Sequence, residues 1–403
     1  MNRKRLGLKT VSPVLVCLLG AASASGDSIF SVNGLGEISY PVGGQARGMG
    51  GVNVAFLDGR RVSFVNPAVI GAVDTTTVSA LFLFEQRRIK DASSKSNINS
   101  WGPRFIRLIV PLSHGVVIGG GIAPFSGVNF HLSKHAEAFG EPYTLHVSAE
   151  GGTHVGSLTL AKNIGGRLFL GAGLNLIFGS MTEEWRRDFV NEGYVSSDDR
   201  ITTSYYGQVY VGGMALRLHR RWSLGAVLSR SANINATIER SAASGAVREE
   251  EKRIDFPDAY GFGMTYRLTS RLVVGGDIFA RQWETFAVDG AELPQYRNTV
   301  RLSLGCEMGP SADKMAPFYQ RRPWRIGMYH EPWHYRDSSG NRPSETFLTL
   351  GTSLFFKNRR GVIDIAIEIG RRGDVTENGA QEWVFRQSFT VVGWERWFQQ
   401  PEY

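Results

Sequence analysis

The segment "GVIDIAIEIGRR", Gly361 to Arg372, alternates apolar and polar residues. Isoleucine occupies every second position, and the charged residues Asp364, Glu368 and Arg372 lie on the opposite face. Successive side chains of a β-strand point to opposite faces, so this period of two predicts a strand with one apolar and one polar face. A soluble β-sandwich would show the same alternation, and the fold class therefore depends on the rest of the chain.

The same pattern recurs along the chain after residue 75. In "RLVVGGDIFAR", apolar residues alternate with the charged residues Asp277 and Arg281. Short and long connections alternate between such segments, which is typical of bacterial outer-membrane barrels with the short turns on the periplasmic side. The connection from Gly309 to Arg321 is the exception, because it is long where a short turn is expected. Reading the chain this way predicts about fourteen strands, over residues 76–88, 101–113, 115–131, 143–163, 167–189, 200–217, 221–240, 248–268, 271–288, 295–308, 322–336, 344–357, 360–372 and 382–396.

The first 24 residues have the features of a secretory signal peptide. A basic start is followed by a short apolar core and the cleavage-type triplet Ala22-Ser23-Ala24. Cleavage there would remove four basic residues and no acidic ones, which lowers the formal net charge from +8 to +4. The basic pI of the full sequence is therefore no evidence for nucleic-acid binding, and we predict no nucleic-acid partner. Cys306 would remain as a single cysteine, so no intrachain disulfide is expected.

Composition favours a membrane barrel over a soluble β-protein. Glycine makes up 48 of 403 residues, about 12% against an average near 7%. Aromatic residues reach 11%, although the mean hydropathy is only −0.16. Barrels combine these values because every second residue faces the lumen or water while aromatic girdles line the membrane interfaces. We predict an all-β fold, an antiparallel transmembrane β-barrel of the bacterial outer membrane over residues 76–403, in contact with outer-membrane lipid.

Residues 25–75 lie between the signal peptide and the first predicted strand, and we call them the hatch. Within them, "GGQARGMGGVNVAFLDGRRVSFVNPAVIGA" (Gly43 to Ala72) is rich in glycine but lacks the G-x-G-x-x-G spacing and following helix of a phosphate-binding loop. A barrel of about fourteen strands is wide enough to need filling. Glycines would let the hatch backbone pack closely against lumen side chains. The sequence therefore predicts a plug folded into the lumen.

The hatch resembles the N-terminal plug of the FadL/TodX family of outer-membrane transporters for hydrophobic compounds, and of their PorV-like relatives. The resemblance is carried by a small-residue G-M-G-G run, an acidic residue and an Asn-Pro-Ala signature. It implies a fourteen-stranded, plugged barrel with a lateral opening where the third strand kinks. The candidate hatch residues are those of these motifs and two arginines that follow the acidic residue. They are Gly48, Gly50, Gly51, Asp58, Arg60, Arg61, Asn66, Pro67 and Ala68.

The third predicted strand carries the residues expected at such an opening. "VVIGGGIAPFSGVNF" contains Gly119, Gly120, Gly121 and Pro124. Proline cannot donate to a strand ladder and glycine weakens one, so pairing is predicted to fail here. A harmless bulge near the rim is the alternative.

The sequence predicts no enzyme and no cofactor. "YHEPWHY" contains the zinc-protease spacing H-E-x-x-H from His330 to His334, but Pro332 would break the helix on which both histidines must lie. The predicted lumen charges are better explained as partners of the hatch arginines, Arg47, Arg60 and Arg61, than as acid–base catalysts. These lumen charges are Asp277, Arg281, Asp364, Glu368 and Arg372.

Two functions remain open at this stage. The first is passive transport of hydrophobic or amphipathic small molecules through a plugged barrel with a lateral opening. Phe169, Phe279 and Phe347, all predicted to face the lumen, favour it. The second is a PorV-like shuttle or anchor that binds secreted proteins, favoured by short polar loops and the C-terminal "IDIAIEIGRRGDVTENGAQEWVFRQSFTVVGWERWF", which resembles the last hairpin of PorV-like members.

Overall fold

The computed structural model describes residues 28–32, 34–91, 94–138, 141–190, 196–242, 245–313, 315–337, 339–356 and 360–395. The predicted signal peptide, residues 1–24, lies outside this range, as do the first three residues of the hatch.

Regular structure in the described residues is almost entirely β-strand. Two four-residue α-helices occur, α1 (Gly44–Arg47) and α2 (Val375–Asn378). The strands are β1 (Glu37–Ile38), β2 (Thr76–Asp91), β3 (Lys95–Pro111), β4 (Val116–Ala138), β5 (Glu141–Ile164), β6 (Leu168–Phe189), β7 (Ser197–Arg217), β8 (Trp222–Ser241), β9 (Val247–Asp255), β10 (Ala259–Arg267), β11 (Leu272–Arg281), β12 (Ala287–Val288), β13 (Ala291–Glu292), β14 (Thr299–Met308), β15 (Trp324–Pro332), β16 (Ser344–Phe355), β17 (Gly361–Asp374) and β18 (Ala380–Glu395).

The strands form one antiparallel sheet that closes on itself. Each wall strand pairs with the next along the chain, and β18 returns to pair with β2 over the full length of both. β9 and β10 pair with the upper and lower halves of β8, so together they count as one wall strand and the barrel has fourteen. The predicted continuous strand 248–268 is thus divided at Phe256-Pro257-Asp258, where proline cannot donate to the ladder.

The outer face of the wall is apolar and exposed, whereas the inner face is polar and buried. Leu304 and Leu348 on the outside are 60% and 65% exposed, while Asp364 and Glu368 on the inside are 1% and 2% exposed. An apolar belt around a barrel is stable in lipid rather than in water, because water makes the exposure of so much apolar surface costly. The protein is therefore an outer-membrane barrel. No helix in the described residues has the length and apolar character to cross a membrane.

The sequence predicts long loops on the rim opposite Thr76, but the strands there extend further: β2 and β3 still pair at Lys90↔Lys95, and β4 and β5 at Glu137↔Pro142. The turns between β5 and β6, β7 and β8, and β10 and β11 are only a few residues long, and the wall starts at Thr76 and ends at Glu395 on that same rim. This rim is the periplasmic one. The long connection between β14 and β15 also lies there.

The described part of the hatch lies inside the barrel and contacts the wall on nearly all sides. Helix α1 packs on β16, β17 and β18, whereas the 3-10 helix at Pro67–Ala72 packs on β4, β5, β6 and β7. Wall glycines make this close approach possible. A Cβ on Gly327 would lie 2.3 Å from the carbonyl carbon of Met49, and one on Gly213 would lie 2.1 Å from the side-chain oxygen of Asn66. The hatch backbone therefore rests directly on the wall backbone.

Candidate functional site

Asn66, Pro67 and Ala68 fasten the lower part of the hatch. Asn66 is fully buried, and its side-chain oxygen accepts from the backbone nitrogen of Ala68 at 3.0 Å. Its amide nitrogen donates to the carbonyl of Val54 at 2.7 Å and to that of Met214 in β7 at 3.3 Å. Asn66 is extended because Pro67 follows it, and Pro67 begins the 3-10 helix. One amide therefore joins two hatch segments to the wall.

Replacing Asn66 with alanine should loosen the hatch without unfolding the barrel. The substitution leaves the buried carbonyl of Val54 and the buried amide of Ala68 without their partner, at about 1–3 kcal/mol per group. Liposomes containing Asn66→Ala or Pro67→Ala should leak small polar solutes faster than those with the intact protein. Asn235→Ala, an exposed position on β8, is the matched control. Leakage equal to that control would exclude a fastening role.

The glycines of the G-M-G-G run lie against the opposite wall. Gly50 and Gly51 have φ values of +69° and +91°, in the left-handed region that favours glycine. The backbone nitrogen of Gly50 donates to Thr349 at 2.9 Å, and a Cβ on Gly48 would lie 2.9 Å from the Cα of Gly351. These positions turn the chain tightly between β14, β15 and β16.

The hatch arginines find partners only partly as predicted. Arg47 forms an ion pair with Glu368 at 2.7 Å. Arg61 is buried but pairs with Glu307 in β14, at 3.0 Å, rather than with a predicted carboxylate. The prediction for Arg60 was wrong, because this residue is exposed and lies over the ring of Trp394. It sits beside Asp58, at the periplasmic mouth, where water solvates its charge.

The predicted lumen charges all face inward, but Asp277 and Asp364 do not pair with hatch arginines within 4 Å among the described residues. One carboxylate oxygen of Asp277 accepts from the backbone nitrogens of Asn53 and Val54, at 2.5 and 2.8 Å. Asp364 accepts from Ser353 at 2.5 Å and lies 3.9 Å from Arg325 of the wall. The predicted pairing of these two carboxylates with hatch arginines was wrong, because buried hatch backbone groups and wall side chains also need hydrogen-bond partners inside the barrel.

A buried charge network holds the upper part of the hatch. Glu37 in β1 accepts from Arg87 at 2.7 Å, Arg372 at 2.8 Å and Arg386 at 2.9 Å, three arginines of three wall strands. Burial alone would raise the pKa of Glu37, but Arg372, Arg87 and Arg386 hold it well below its ordinary value. The same arginines also contact the buried carboxylates Glu85 and Glu382 and the half-buried Glu345.

Sequence reasoning missed most of this network. Of its members only Arg372 was a candidate. Glu85 and Arg87 sit two residues apart in β2 and Glu382 and Arg386 four apart in β18, which are inward positions once the faces are assigned. The two-residue period of the strands could therefore have identified these wall residues of the network as inward-facing. Glu37 lies in a two-residue strand that no periodicity reveals.

The wall is incompletely paired between β3 and β4. The two strands pair from Pro111↔Val117 to Ile106↔Ile122, and no described residue beyond that point pairs one with the other. β4 instead continues along β5 through a bulge between Pro124 and Ser126. β1 of the hatch occupies part of the open edge, with Glu37↔Gly127 and Ile38↔Ser126.

The break lies at one end of the segment predicted from Gly119, Gly120, Gly121 and Pro124. Gly119, Gly120 and Gly121 are paired on both sides, with β3 and with β5. Pairing with β3 stops just after them, in the part of β4 that contains Pro124. Within the predicted segment, pairing with β3 is therefore absent at Pro124 but present at the glycines, since glycine keeps its backbone donor and proline does not.

Two cavities flank β1. One, of about 80 Å³, lies beside the break and is lined by wall residues of β3 and β4 such as Arg104, Phe105 and Pro124. The other, of about 50 Å³, is lined by aromatic residues and Arg281. The guanidinium of Arg281 lies 5.0 Å from the centre of the Phe125 ring, close enough for a cation–π contact. Both cavities share residues Glu37 to Tyr40 and Glu345.

The H-E-x-x-H residues do not form a metal site. His330 is exposed on β15, Glu331 accepts from Arg301 at 2.9 Å, and His334 is buried among aromatic rings beyond the strand. No group of three potential metal ligands occurs among the described residues. The predicted lumen phenylalanines do face inward: Phe169 and Phe347 are buried and Phe279 is half-buried.

Several solved structures share this architecture. The toluene transporter TodX of Pseudomonas putida matches with a TM-score of 0.60 and 16% identity, over 90% of this chain and 99% of TodX. The toluene transporter TbuX of Ralstonia pickettii gives 0.60 and 16%, over 88% and 98%. A FadL homologue of Pseudomonas aeruginosa gives 0.63 and 13%, over 88% and 98%. At these identities the likeness establishes the fold alone.

Sequence comparison adds the family. No curated protein matches the chain significantly. A model of the BamG family matches residues 4–403, nearly the whole sequence. The chain therefore belongs to the BamG family, and its fold is that of the FadL-type outer-membrane barrels.

Proposed function

We propose that this protein is a passive outer-membrane transporter for hydrophobic or amphipathic small molecules, closed by its hatch and open laterally between β3 and β4. The observation that carries the proposal is the loss of pairing beyond Ile106↔Ile122, next to a cavity bounded by the hatch. A compound that leaves the lumen there enters the outer leaflet without crossing the hatch. The solved relatives named as toluene transporters share the fold, which is compatible with this function.

The lining of the cavity favours amphipathic compounds over pure hydrocarbons. Leu83, Phe105 and Tyr40 supply apolar surface, while Arg104 and Arg301 bring guanidinium groups to the same space. Arg301 already pairs with Glu331 at 2.9 Å and lies over the ring of Tyr329. A compound with an apolar body and a polar end would match both kinds of surface.

Closing the break with a cross-link should abolish uptake. In a Cys306→Ser background, Asn99→Cys on β3 and His131→Cys on β4 place exposed thiols on the two unpaired strand halves. Bismaleimides of graded length would then join these halves. Accumulation of labelled alkyl and aromatic carboxylates by cells should fall to the level of cells that lack the protein, because the exit is closed.

The control is a cross-link where the same strands are already paired. Leu108→Cys and Gly120→Cys are direct partners in the closed part of the seam, so linking them should leave uptake unchanged. Uptake that survives the upper cross-link would contradict a lateral exit. Uptake that does not depend on the protein at all would contradict transport. The secreted-protein partner stays a prediction, to be tested by co-purification.

A further inference from the structure

The periplasmic rim carries an unusual row of arginines. At this rim, β7 and β10 each end with an arginine, and an arginine immediately precedes the first residue of β6, β8 and β11. The positions are inward ones by the alternation of each strand. We call the row the arginine arc, and it consists of Arg167, Arg217, Arg221, Arg267 and Arg271.

Members of the arginine arc stand directly opposite one another. The backbone nitrogen of Arg217 donates to the carbonyl of Arg167 at 2.7 Å, and that of Arg267 donates to the carbonyl of Arg221 at 2.8 Å. Like charges directly opposite on neighbouring strands destabilise a sheet. Two such pairs side by side concentrate positive charge at this rim, where an acidic ligand could reach it.

Among the described residues the arginine arc forms no ion pair, although Asp58 and Glu307 line the same space. No described carboxylate lies within 4 Å of its guanidinium groups. The side chain of Arg217 donates to the carbonyl of Gly166 at 3.1 Å, and that of Arg271 donates to the carbonyl of Gly309 at 3.0 Å. Glu307 is nearby, but Arg61 and Arg325 already hold it.

The arginine arc borders a space of useful size. Two adjoining cavities of about 520 and 290 Å³ open at this mouth, and both are lined by Arg217, Arg267 and the apolar side chains of Phe56, Leu57 and Val273. We call them together the vestibule. Its floor is partly hatch, so it faces the periplasm rather than lipid.

We propose that the vestibule binds an extended acidic segment of a periplasmic protein. Five neighbouring strands spaced by about 4.8 Å extend over roughly 19 Å, which matches about six residues of extended chain at 3.3 Å each. A small monoanion would engage only one or two of these arginines. Acidic side chains on one face of the segment pair with the arginine arc, and apolar ones on the other contact Phe56 and Leu57. This binding is independent of transport.

The test uses the full-length protein in detergent and a fluorescent peptide of five Glu-Leu repeats. Its anisotropy should rise on binding and fall as salt is added, since exposed ion pairs are screened. The Arg217→Glu/Arg267→Glu variant should bind at least tenfold more weakly. Arg240→Glu/Arg248→Glu, two exposed arginines at the extracellular end, should bind as the wild type does. A peptide of Lys-Leu repeats should not bind.

Several results would overturn the proposal. Equal binding by the arc and control variants, or equal loss in both, would show that the arginine arc does not recognise the peptide. Displacement by inorganic phosphate as effective as by unlabelled peptide would make the site a simple anion site. If the double reversal does not fold, Arg217→Gln/Arg267→Gln replaces it. Without ligand, this variant should melt no lower than wild type, because it removes like-charge repulsion; a lower melting temperature would indicate a structural role.

Discussion

Deleting residues 43–72 should turn a nearly closed barrel into an open pore. The deletion removes helix α1, the G-M-G-G turn and the Asn-Pro-Ala anchor, which together contact most of the wall. Without them, a fourteen-stranded barrel encloses a water-filled lumen, and single-channel conductance in planar bilayers should rise by roughly tenfold or more. Selective uptake should be lost at the same time, since solutes no longer pass the cavities beside β1.

The wall itself should survive this deletion. Its strand pairing is continuous from β4 through β18 to β3, so the variant should still show β-type circular dichroism and a mobility shift on heating. Asn66→Ala, which loosens the hatch but keeps it, should give an intermediate conductance. If the deletion and the intact protein conduct equally, residues 43–72 do not plug the barrel.

Replacing Glu37 with glutamine should strongly destabilise the protein. The neutral amide leaves Arg87, Arg372 and Arg386 without their shared partner in a buried site. Removing one partner of a buried ion pair costs about 3–5 kcal/mol. The temperature at which the unheated band converts to the unfolded one should therefore fall, as should the midpoint of unfolding by guanidinium.

Glu137→Gln, at an exposed position on β4, is the control and should leave both measures unchanged. A Glu37→Gln variant as stable as this control would show that the network does not hold the hatch.

The same carboxylate predicts a pH dependence. Glu37 belongs to the hatch rather than to a membrane-spanning strand, and its folded-state pKa lies well below the ordinary 4.5. A group with a lowered pKa stabilises the fold above its unfolded-state pKa, and this contribution disappears as pH falls through the folded-state value. The stability difference between wild type and Glu37→Gln should thus be constant near neutral pH and shrink below about pH 4.5.

Local pattern was enough to predict the wall. Inward Asp364 and Glu368 and outward Leu348 follow from a period of two, which sets every side chain once one face is assigned. Hatch contacts were less predictable, because the partner of Asp277 turned out to be backbone and that of Arg61 a glutamate far along the chain. Such pairs depend on how a segment without periodicity lies in the lumen, and no local spacing encodes that.

The hatch runs through the barrel in a direction that constrains how the protein can be assembled. Ser28 binds Glu382 near the extracellular end of β18, whereas the chain enters the wall at Thr76 on the periplasmic rim. Between them Glu37 is held by arginines of β2, β17 and β18, the strands on either side of the seam that closes last in chain order. If the barrel closed first, the hatch would have to be threaded along the lumen past buried charged side chains. It is simpler for the barrel to close after the hatch is in place. The arginines of β17 and β18 then pair with Glu37 as β18 joins β2.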